Sequence, residues 1–384
     1  MKVLILSASI GGGHEMAARA LKSGILKRNN NYVVKIVDAL SYVSAVLNKT
    51  VKDTYTRMIK LAPKIYEVIY NKTNKDSKFS SLVVLLNKLF SRKLLALLKD
   101  FNPDIIIATH MFPTEMISYL KSHRKVNVPL VCVITDYAPH KTWIMDNVDA
   151  YVVASEDMLP KMIKFGINES KIYPFGIPVD DSFFKKKSKI FLLKSIGLNT
   201  NIPTILIMAG SFGVENITKI YKELVQSVLD FQIIIITGKN KRLYENLNKL
   251  ISEQKAINPN FKKTKLIYFT EKVYKYMQTA DLIITKPGGL TVSEALASEL
   301  PLAVFDAIPG QEKENADFLI KNNMGVKISQ NENCREAVEN LLKNKEHLKI
   351  MKNNCKTHSE MMSKGNIYTL IENLVGNNSK TVLV

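Results

Sequence analysis

Short runs of β-branched and aliphatic residues alternate along this chain with longer segments of helical periodicity. Six runs in the first half are predicted as strands, at 2–8, 33–37, 104–108, 130–134, 150–154 and 172–175. Five more follow in the second half, at 204–209, 232–237, 265–269, 282–285 and 302–305. Strands separated by helices form parallel sheets that helices cover on both faces. We therefore predict an α/β chain of two Rossmann-like, doubly wound domains that face each other across a cleft.

A polar stretch separates the two series of strands. It begins at Asp180 and ends with a lysine run at 185–187, and we interpret it as an interdomain linker. The predicted domains are 1–182 and 183–355, followed by a C-terminal helix and tail at 356–384 that can return to the N-terminal domain. The 384 residues, of which 46% are hydrophobic, are enough for two separate cores.

Positive charge is concentrated in one segment of the first half. The net charge is +19, and residues 49–99 contain 12 Lys and Arg against 3 Asp and Glu. The remainder of 1–182 contains 13 residues of each sign and is therefore neutral. A basic segment that is also rich in apolar residues suits the anionic surface of a membrane. Nucleic acid is the competing partner. Because the chain has no groove-reading motif, we expect no nucleic acid to bind.

The longest apolar stretch, 82–98, lies within this basic segment and predicts a helix. Lys88 and Arg92 belong to a polar stripe along it, and Lys93 follows directly. Two interpretations stay open: the helix packs against its own sheet, or it offers an apolar face to lipid. In the second interpretation, Lys88, Arg92 and Lys93 contact the anionic membrane surface.

The cysteines and the apolar pattern bear on the compartment. Cys132, Cys334 and Cys355 show neither a disulfide framework nor metal-ligand spacing, which favours a reducing environment. The apolar run at 3–6 is too short for an export signal. No stretch of roughly 20 uncharged apolar residues predicts a spanning helix. We expect a peripheral protein on the cytoplasmic face of the cell membrane.

Glycines follow the first predicted strand and open onto a helix. The sequence at 7–15 reads Ser-Ala-Ser-Ile-Gly-Gly-Gly-His-Glu, so Gly12 and Gly13 let a ligand approach backbone N–H groups at the helix start. The imidazole of His14, at the end of this loop, can accept a proton near neutral pH and is our candidate general base. The alternative is a histidine that only caps the helix.

Two loops in the second half repeat this strand–glycine–helix arrangement. Ala-Gly-Ser-Phe-Gly at 209–213 places Gly210 and Ser211 where they can hold a phosphate, or where they form only a tight turn. Thr-Lys-Pro-Gly-Gly-Leu-Thr-Val-Ser-Glu at 285–294 is the more specific loop, since its helix end can face a diphosphate. Glu294 can bind a ribose diol, or merely complement the helix dipole. The other residues predicted at this loop are Gly288, Gly289, Leu290 and Thr291.

A last polar loop follows the predicted strand at 302–305. It reads Pro-Gly-Gln-Glu-Lys-Glu-Asn at 309–315. Gln311 and Glu312 together offer the donors and acceptors that suit the hydroxyls of a hexose. The pair is informative because it lies one strand after the most specific glycine loop.

These motifs, in this order, resemble a glycosyltransferase family that includes plant monogalactosyldiacylglycerol synthases and bacterial processive diacylglycerol glucosyltransferases. The peptidoglycan lipid-intermediate N-acetylglucosaminyltransferase is similar more distantly. The resemblance extends from Gly-Gly-Gly-His at 11–14, through Thr-Asp-Tyr-Ala-Pro-His-Lys-Thr-Trp at 135–143, to Gly-Gln-Glu-x-x-Asn at 310–315. It implies a GT-B fold, with the acceptor bound by the N-terminal domain and a UDP-sugar bound mostly by the C-terminal domain.

The resemblance also implies roles for individual residues. It makes His14 the base, with Asp136 either orienting that imidazole or acting as the base itself. It implies that His140 and Trp143 lie near the acceptor. The implied transfer inverts the anomeric carbon without a metal or cofactor, because helix ends stabilise the departing diphosphate. The implied donor-binding residues are Gly12 and Gly13, Gly210 and Ser211 at the diphosphate, Phe269 beside the uracil, Gly288, Gly289, Leu290, Thr291, Glu294 at the ribose, Gln311 and Glu312 at the hexose, and Asn315.

The leading interpretation is a glucosyltransferase that uses UDP-glucose and diacylglycerol, with galactose as the competing donor sugar. Addition of more than one sugar is a further expectation. One alternative is transfer of N-acetylglucosamine to a polyprenyl-linked lipid. Another is a non-hydrolysing UDP-sugar epimerase, which needs no basic apolar segment. A third is a non-catalytic basic protein that binds lipid or nucleic acid, but that interpretation leaves the glycine loops unexplained.

Overall fold

The computed structural model describes residues 1–9, 12–44, 53, 63–75, 80–208, 215–258, 261–305, 307–329, 333–364 and 366–381. The chain divides into two compact units. The first unit contains Met1–Asp181, Ile308–Glu314 and Met361–Val384, and the second contains Ser182–Ala307 and Asn315–Glu360. The fold is α/β, and within the described residues each unit is built on one six-stranded parallel sheet.

The sheet of the first unit has the order β2-β1-β3-β4-β5-β6. All six strands overlap strands predicted from the sequence, which confirms those predictions. Ile105-Ile-Ile-Ala108 is typical: it is apolar throughout because both faces of the strand are buried. The strands are β1 (Lys2–Ser7), β2 (Val33–Asp38), β3 (Ile105–Ala108), β4 (Leu130–Val133), β5 (Ala150–Val152) and β6 (Ile172–Tyr173).

The sheet of the second unit has the order β12-β11-β10-β7-β8-β9. Five of its strands are confirmed predictions, and the sixth, at the sheet edge, was not predicted. That strand begins with Gly325 and exposes Lys327, so it lacks the continuous apolar run of its neighbours. The strands are β7 (Thr204–Met208), β8 (Gln232–Ile236), β9 (Thr264–Ile267), β10 (Leu282–Thr285), β11 (Leu302–Phe305) and β12 (Gly325–Ile328).

Helices connect the strands and cover both sheets. Several begin at a polar side chain that accepts a backbone N–H, such as Asp38 from Ser41 and Asn240 from Leu243. The helices are α1 (Gly13–Arg28), α2 (Ala39–Val43), α3 (Pro63–Lys75), α4 (Ser80–Phe101), α5 (Met111–Ser122), α6 (Leu159–Lys164), α7 (Lys189–Ser195), α8 (Glu215–Leu224), α9 (Lys241–Ile257), α10 (Val273–Met277), α11 (Gly289–Ala297), α12 (Gln311–Lys321), α13 (Cys334–Lys343), α14 (Lys345–Lys364) and α15 (Ile367–Thr381).

Helix α4 confirms the helix predicted at 82–98. Its C-terminal half packs within the first unit, where Leu94, Leu97 and Leu98 are buried, and the helix contacts α2 and α5. The side chains at 80–90 lie outside the described residues, so the choice between a packed and a lipid-facing surface stays open for that half. Within the described ranges, no helix combines the length and hydropathy needed to traverse a bilayer.

The C-terminal helix α15 contributes to the core of the first unit. Ile367, Leu370 and Ile371 are buried in the same apolar cluster as Val3 and Ile5 of β1. On the surface of that contact, the guanidinium of Arg28 on α1 donates to the carboxylate of Glu372, at 2.9 and 3.0 Å. The last helix of the chain is therefore part of the first unit.

Candidate active site

The strand order of the first sheet changes direction beside β1. The chain continues from β1 to β2 on one side and from β3 to β4 on the other, so it leaves these two neighbouring strands in opposite directions across the sheet. In parallel α/β sheets, ligands bind outside the carboxyl ends of the strands at such a switch point. Leu6 is paired with Ala108, and the N–H of Thr109 donates to the Leu6 carbonyl. The loop that carries His14 and the residues after β3 therefore adjoin.

The glycine loop ends at Gly12, the residue just before α1. Its φ of 79° lies in the left-handed region, where glycine is favoured, and a side chain there would strain the backbone. Helix α1 begins at Gly13, so His14 stands in its first turn. The N-cap residue is Gly12, and no side-chain cap hydrogen bond is found at this helix start among the described residues. The alternative that His14 serves only as a helix cap is therefore wrong.

The imidazole of His14 is held by groups on two other strand ends. Its Nδ1 lies 2.8 Å from the carbonyl oxygen of Thr109 and 2.8 Å from Oγ1 of Thr135. A carbonyl oxygen only accepts hydrogen bonds, so Nδ1 carries the ring proton. Among the described residues, none is hydrogen-bonded to Nε2 of His14. The neutral ring therefore has its lone pair on Nε2, where it can accept a proton.

A second histidine, which the sequence analysis missed, lies against the first. The rings of His14 and His110 are 4.5 Å apart at 77°, and each lies 6.2 Å from the ring of the buried Trp143. Nδ1 of His110 accepts the N–H of Phe112 and so caps α5. These residues could have been found from their positions in the sequence, because Thr109, His110 and Thr135 directly follow predicted strands.

Burial keeps both imidazoles neutral. It lowers the pKa of His14 to about 4, although the contact with the Thr109 carbonyl partly opposes the shift. Burial also lowers the pKa of His110, and the neighbouring His14 lowers it further, since two adjacent imidazoles resist joint protonation. A neutral His14 at physiological pH is the form that can act as a base.

Asp136 and Gln311 are brought together by the structure. The amide Nε2 of Gln311 donates to Oδ2 of Asp136 over 3.2 Å, and both residues belong to the first unit. Glu312 accepts the N–H of Ile308 over 2.9 Å and so braces its own loop. The partners found for Nδ1 of His14 are Thr109 and Thr135. The roles predicted for Asp136, Gln311 and Glu312 stay predictions.

His140 and Trp143 are largely buried. Nε2 of His140 donates to the carbonyl oxygen of Tyr70 over 2.9 Å, and its Nδ1 accepts the N–H of Thr142 over 3.2 Å. Both ring nitrogens thus tie this loop to α3 and to itself. Trp143 is only 2% exposed and packs beside His14 and His110. Their predicted position near the acceptor stays a prediction.

The basic residues predicted at the membrane differ in their surroundings. Arg92 is exposed. Lys93 donates to the carbonyl oxygen of Val43, the last residue of α2, over 2.7 Å. The positive charge of Lys93 therefore stabilises the negative end of the α2 dipole. The sequence did not indicate this contact. The side chain of Lys88 lies outside the described residues.

The second sheet has its own switch point between β7 and β10. The loop after β7, with Gly210 and Ser211, lies outside the described residues. The loop after β10 leads to Gly288, the N-cap of α11; among the described residues no side chain caps this helix, and no atom lies within 4 Å of where a Cβ of Gly288 would stand. The first N–H groups of α11, at Gly289, Leu290 and Thr291, therefore have no acceptor within their helix. Such a helix start attracts anions.

Glu294 on α11 and Asn315 on α12 are two further predicted donor-binding residues of the second unit. Burial raises the pKa of the half-buried Glu294 to about 8, so its carboxyl group is mostly protonated near neutral pH. The side-chain amide of the buried Asn315 donates to the carbonyl oxygen of Pro287 over 3.0 Å. Asn315 thus holds the glycine loop from within the second unit.

Phe269 lies two residues after the end of β9 and is 49% exposed. The sequence had placed it at the end of that strand. The ammonium of Lys239 lies 5.0 Å from the centre of its ring, a cation–π distance. A large aromatic ring this exposed offers a flat apolar surface for a base.

Solved structures show the class of this architecture. The chain is similar to the crystal structure of MurG from Acinetobacter baumannii, with a TM-score of 0.58 and 14% identity over 99% of both chains. It is also similar to Anabaena Alr3699/HepE in complex with UDP-glucose, with a TM-score of 0.55 and 14% identity over 99% of this chain and 100% of that one. At this identity the likeness shows the fold alone. The fold is GT-B.

Sequence comparisons show the family. The family model for monogalactosyldiacylglycerol (MGDG) synthase matches residues 14–179, and that for the glycosyltransferase family 28 C-terminal domain matches 204–369. The processive diacylglycerol beta-glucosyltransferase of Bacillus pumilus is 30% identical over 377 residues, 97% of this chain and 94% of that protein. The Staphylococcus epidermidis protein of the same name is 30% identical over 356 residues, 91% and 87% of the two chains. The chain belongs to this family of diacylglycerol glucosyltransferases and is an enzyme.

Proposed function

We propose that this protein transfers glucose from UDP-glucose to diacylglycerol, with inversion at the anomeric carbon and without a bound metal. The observation that carries the proposal is Nε2 of His14, which has no hydrogen-bond partner among the described residues, while the Thr109 carbonyl fixes the ring proton on Nδ1. A base in this protonation state, at a sheet switch point, suits activation of a hydroxyl. The family supplies the acceptor class, since its relatives are named for diacylglycerol.

The proposed step is a single displacement. The acceptor hydroxyl gives its proton to Nε2 of His14 while its oxygen forms a bond to C1 of glucose. The bond between C1 and the phosphate oxygen breaks on the opposite face, and UDP leaves with that electron pair. The imidazolium is transient, because burial lowers the pKa of His14 to about 4 and the proton is readily lost.

The second unit binds the donor in this proposal. The start of α11 accepts the diphosphate, because its first N–H groups lack helical partners and the helix dipole favours negative charge. Glu294 binds the ribose diol and Phe269 stacks on uracil. Gly210 and Ser211 extend the diphosphate contact. Helix N-termini take the part that a divalent cation plays in other transferases, so we expect activity in the presence of a chelator.

The first unit binds the acceptor at the membrane surface. Arg92 and Lys88, within the basic segment 49–99, are the proposed contacts to anionic headgroups on the cytoplasmic face. Processive addition follows if the glucosylated product re-enters the same site as an acceptor. Supplying monoglucosyl-diacylglycerol as the acceptor tests this directly: a diglucosyl product supports processivity, and no reaction contradicts it.

A donor-by-acceptor matrix with purified protein in mixed lipid micelles tests the reaction. UDP-glucose, UDP-galactose and UDP-N-acetylglucosamine are each combined with diacylglycerol and with a polyprenyl-linked acceptor, with EDTA present. Glucosyl-diacylglycerol with a β linkage by NMR supports the proposal. Labelling only of the polyprenyl lipid would instead favour the N-acetylglucosamine reaction, and strict dependence on added Mg²⁺ would contradict the metal-free mechanism.

A further inference from the structure

A small surface of the second unit combines exposed apolar side chains with lysines. Helix α7 buries Leu192 and Leu193 in the unit, so its opposite side carries Ile190 and Phe191, which are 57% and 67% exposed. Lys194 is exposed one turn further along the helix, and Lys185 and Lys187 are exposed in the segment before it. We call these five residues the α7 patch.

The α7 patch has an excess of positive charge. Residues 184–195 contain five lysines and no acidic residue. Lys186 pairs with Glu299 and Lys189 pairs with Asp281. For the remaining lysines, 185, 187 and 194, no ion pair is found among the described residues. Within the described part of the chain, three exposed lysines without an ion pair therefore lie within six residues of the two apolar side chains along the sequence.

Hydrogen bonds hold the patch in a defined conformation. Gln278 donates to the carbonyl oxygens of Ser182 and Lys185 and accepts the N–H of Lys187, over 2.9 to 3.3 Å. Ser188 caps α7 by accepting the N–H of Phe191. The exposed apolar pair is thus presented by a fixed backbone, so little conformational entropy is lost when it contacts a partner.

We propose that the α7 patch docks the second unit on an anionic lipid surface. Ile190 and Phe191 enter the interfacial region, and Lys185, Lys187 and Lys194 contact acidic headgroups. A second protein molecule fits less well, because protein interfaces are depleted in lysine and bury about 800 Å² on each partner. Two exposed side chains provide much less than that. The patch lies outside the basic segment 49–99 and is independent of the proposed reaction.

Vesicle partitioning of the full-length protein tests the charge and the apolar pair separately. The variant Lys185→Gln/Lys187→Gln/Lys194→Gln should lower the partition coefficient on vesicles containing phosphatidylglycerol by about tenfold or more, since each lysine near such a surface contributes about fivefold. Ile190→Gln/Phe191→Gln should also lower it. The matched controls are Lys222→Gln/Lys241→Gln/Lys249→Gln, for equal charge loss, and Val228→Gln, an exposed apolar position of the same unit. These should partition more like the wild type.

A site-specific probe shows whether the patch itself meets lipid. Phe191→Trp should give an indole emission that shifts to the blue and is quenched by bromine-labelled lipid chains, whereas Val228→Trp should give neither change. The native Trp143 is buried and supplies a constant background. Absence of quenching at position 191, or unchanged partitioning of both patch variants, overturns the proposal. So does a dimer in sedimentation that Ile190→Gln/Phe191→Gln abolishes. Failure of glucosyl transfer alone would leave these vesicle results intact, so the two proposals fail separately.

Discussion

Nδ1 of His14 and the main-chain carbonyl oxygen of Thr109 lie 2.8 Å apart. Because the carbonyl can only accept, this contact fixes the tautomer of the neutral imidazole. His14 follows β1 and Thr109 follows β3, so the pairing of these two strands orients the proposed base. The orienting group belongs to the backbone, so no substitution at position 109 removes it. Tests of the base must therefore use His14 itself and Thr135.

Replacing His14 by Ala should lower kcat of glucosyl transfer by about a hundredfold or more, the usual cost of losing a general base. UDP binding, measured by calorimetry, should change little. The wild-type kcat, measured at saturating UDP-glucose, should stay constant well below the ordinary histidine pKa of 6.5 and fall only near pH 4, because burial lowers the pKa of His14 to about 4. An acid limb near 6.5 would contradict this. His123→Ala, at an exposed histidine of the same unit, is the matched control.

Thr135→Val should reduce kcat by about fivefold, since it removes a hydrogen bond of about 1 kcal/mol to Nδ1 and keeps the side-chain volume. Thr135→Ser restores the hydroxyl and should recover most of the rate. KM for UDP-glucose should be unchanged in both variants. If the Val and Ser variants have equal rates, the Thr135 hydroxyl does not position His14.

His14 and His110 should make the protein less stable in mild acid, because desolvation lowers the pKa of both imidazoles. Their folded-state pKa values lie below the ordinary 6.5, so the unfolded chain binds more protons as the pH falls. The free energy of unfolding should therefore decrease as the pH falls below 6.5, the pKa of an unfolded histidine. For His14 this loss continues until about pH 4, its pKa in the folded protein. His110→Asn removes one titrating ring and keeps an acceptor for the Phe112 N–H. Its urea midpoint should fall less than that of the wild type between about pH 7 and about pH 5.

The strands were largely predictable from the sequence, and the exceptions have physical reasons. Strands buried on both faces, such as β3, are apolar throughout and therefore stand out. The edge strand β12 does not, because Lys327 is exposed on it. Likewise, Arg92 in the polar stripe of α4 is exposed, yet the adjacent polar residue Ser91 is buried. A helical pattern shows which residues share a face but not what covers it.

The candidate site was predictable only in part. The glycines after a predicted strand identified His14 as a candidate site residue. Thr109, His110 and Thr135 become its neighbours only because β1, β3 and β4 lie side by side in the sheet. That order is a property of the whole fold, and no local pattern contains it. The partner of Lys93 was hidden for the same reason, since Val43 is distant along the chain.

UDP binding should release a proton from Glu294. Burial raises the pKa of this carboxyl group to about 8, so the free enzyme holds a proton there near neutral pH. A ribose diol that donates to the carboxylate stabilises the ionised form and lowers its pKa on binding. Affinity should therefore rise as the pH approaches 8. Calorimetry in buffers of different ionisation enthalpy measures the proton released, and Glu294→Gln should abolish it and weaken binding. The same proton count in both proteins would contradict the ribose role.

The packing of α1 on α15 gives a test of the C-terminal helix. Gly24 is buried in the middle of α1, and a Cβ added there would overlap the phenol ring of Tyr368 on α15. In an open helix, Gly→Ala stabilises by about 1 kcal/mol. Here the overlap should cost about 1–3 kcal/mol, so Gly24→Ala should be destabilising overall, by up to about 2 kcal/mol.

A double-mutant cycle separates the overlap from the helix propensity. In a Tyr368→Leu background the obstructing ring is gone, so Gly24→Ala should become neutral or stabilising in thermal unfolding. Ser23→Ala, one residue earlier on the same helix, is the control for propensity alone. If Gly24→Ala raises the melting temperature equally with and without Tyr368, α15 does not rest against α1 in solution. A coupling of about 1–3 kcal/mol between the two positions instead means that the last helix of the chain stabilises the unit that carries His14.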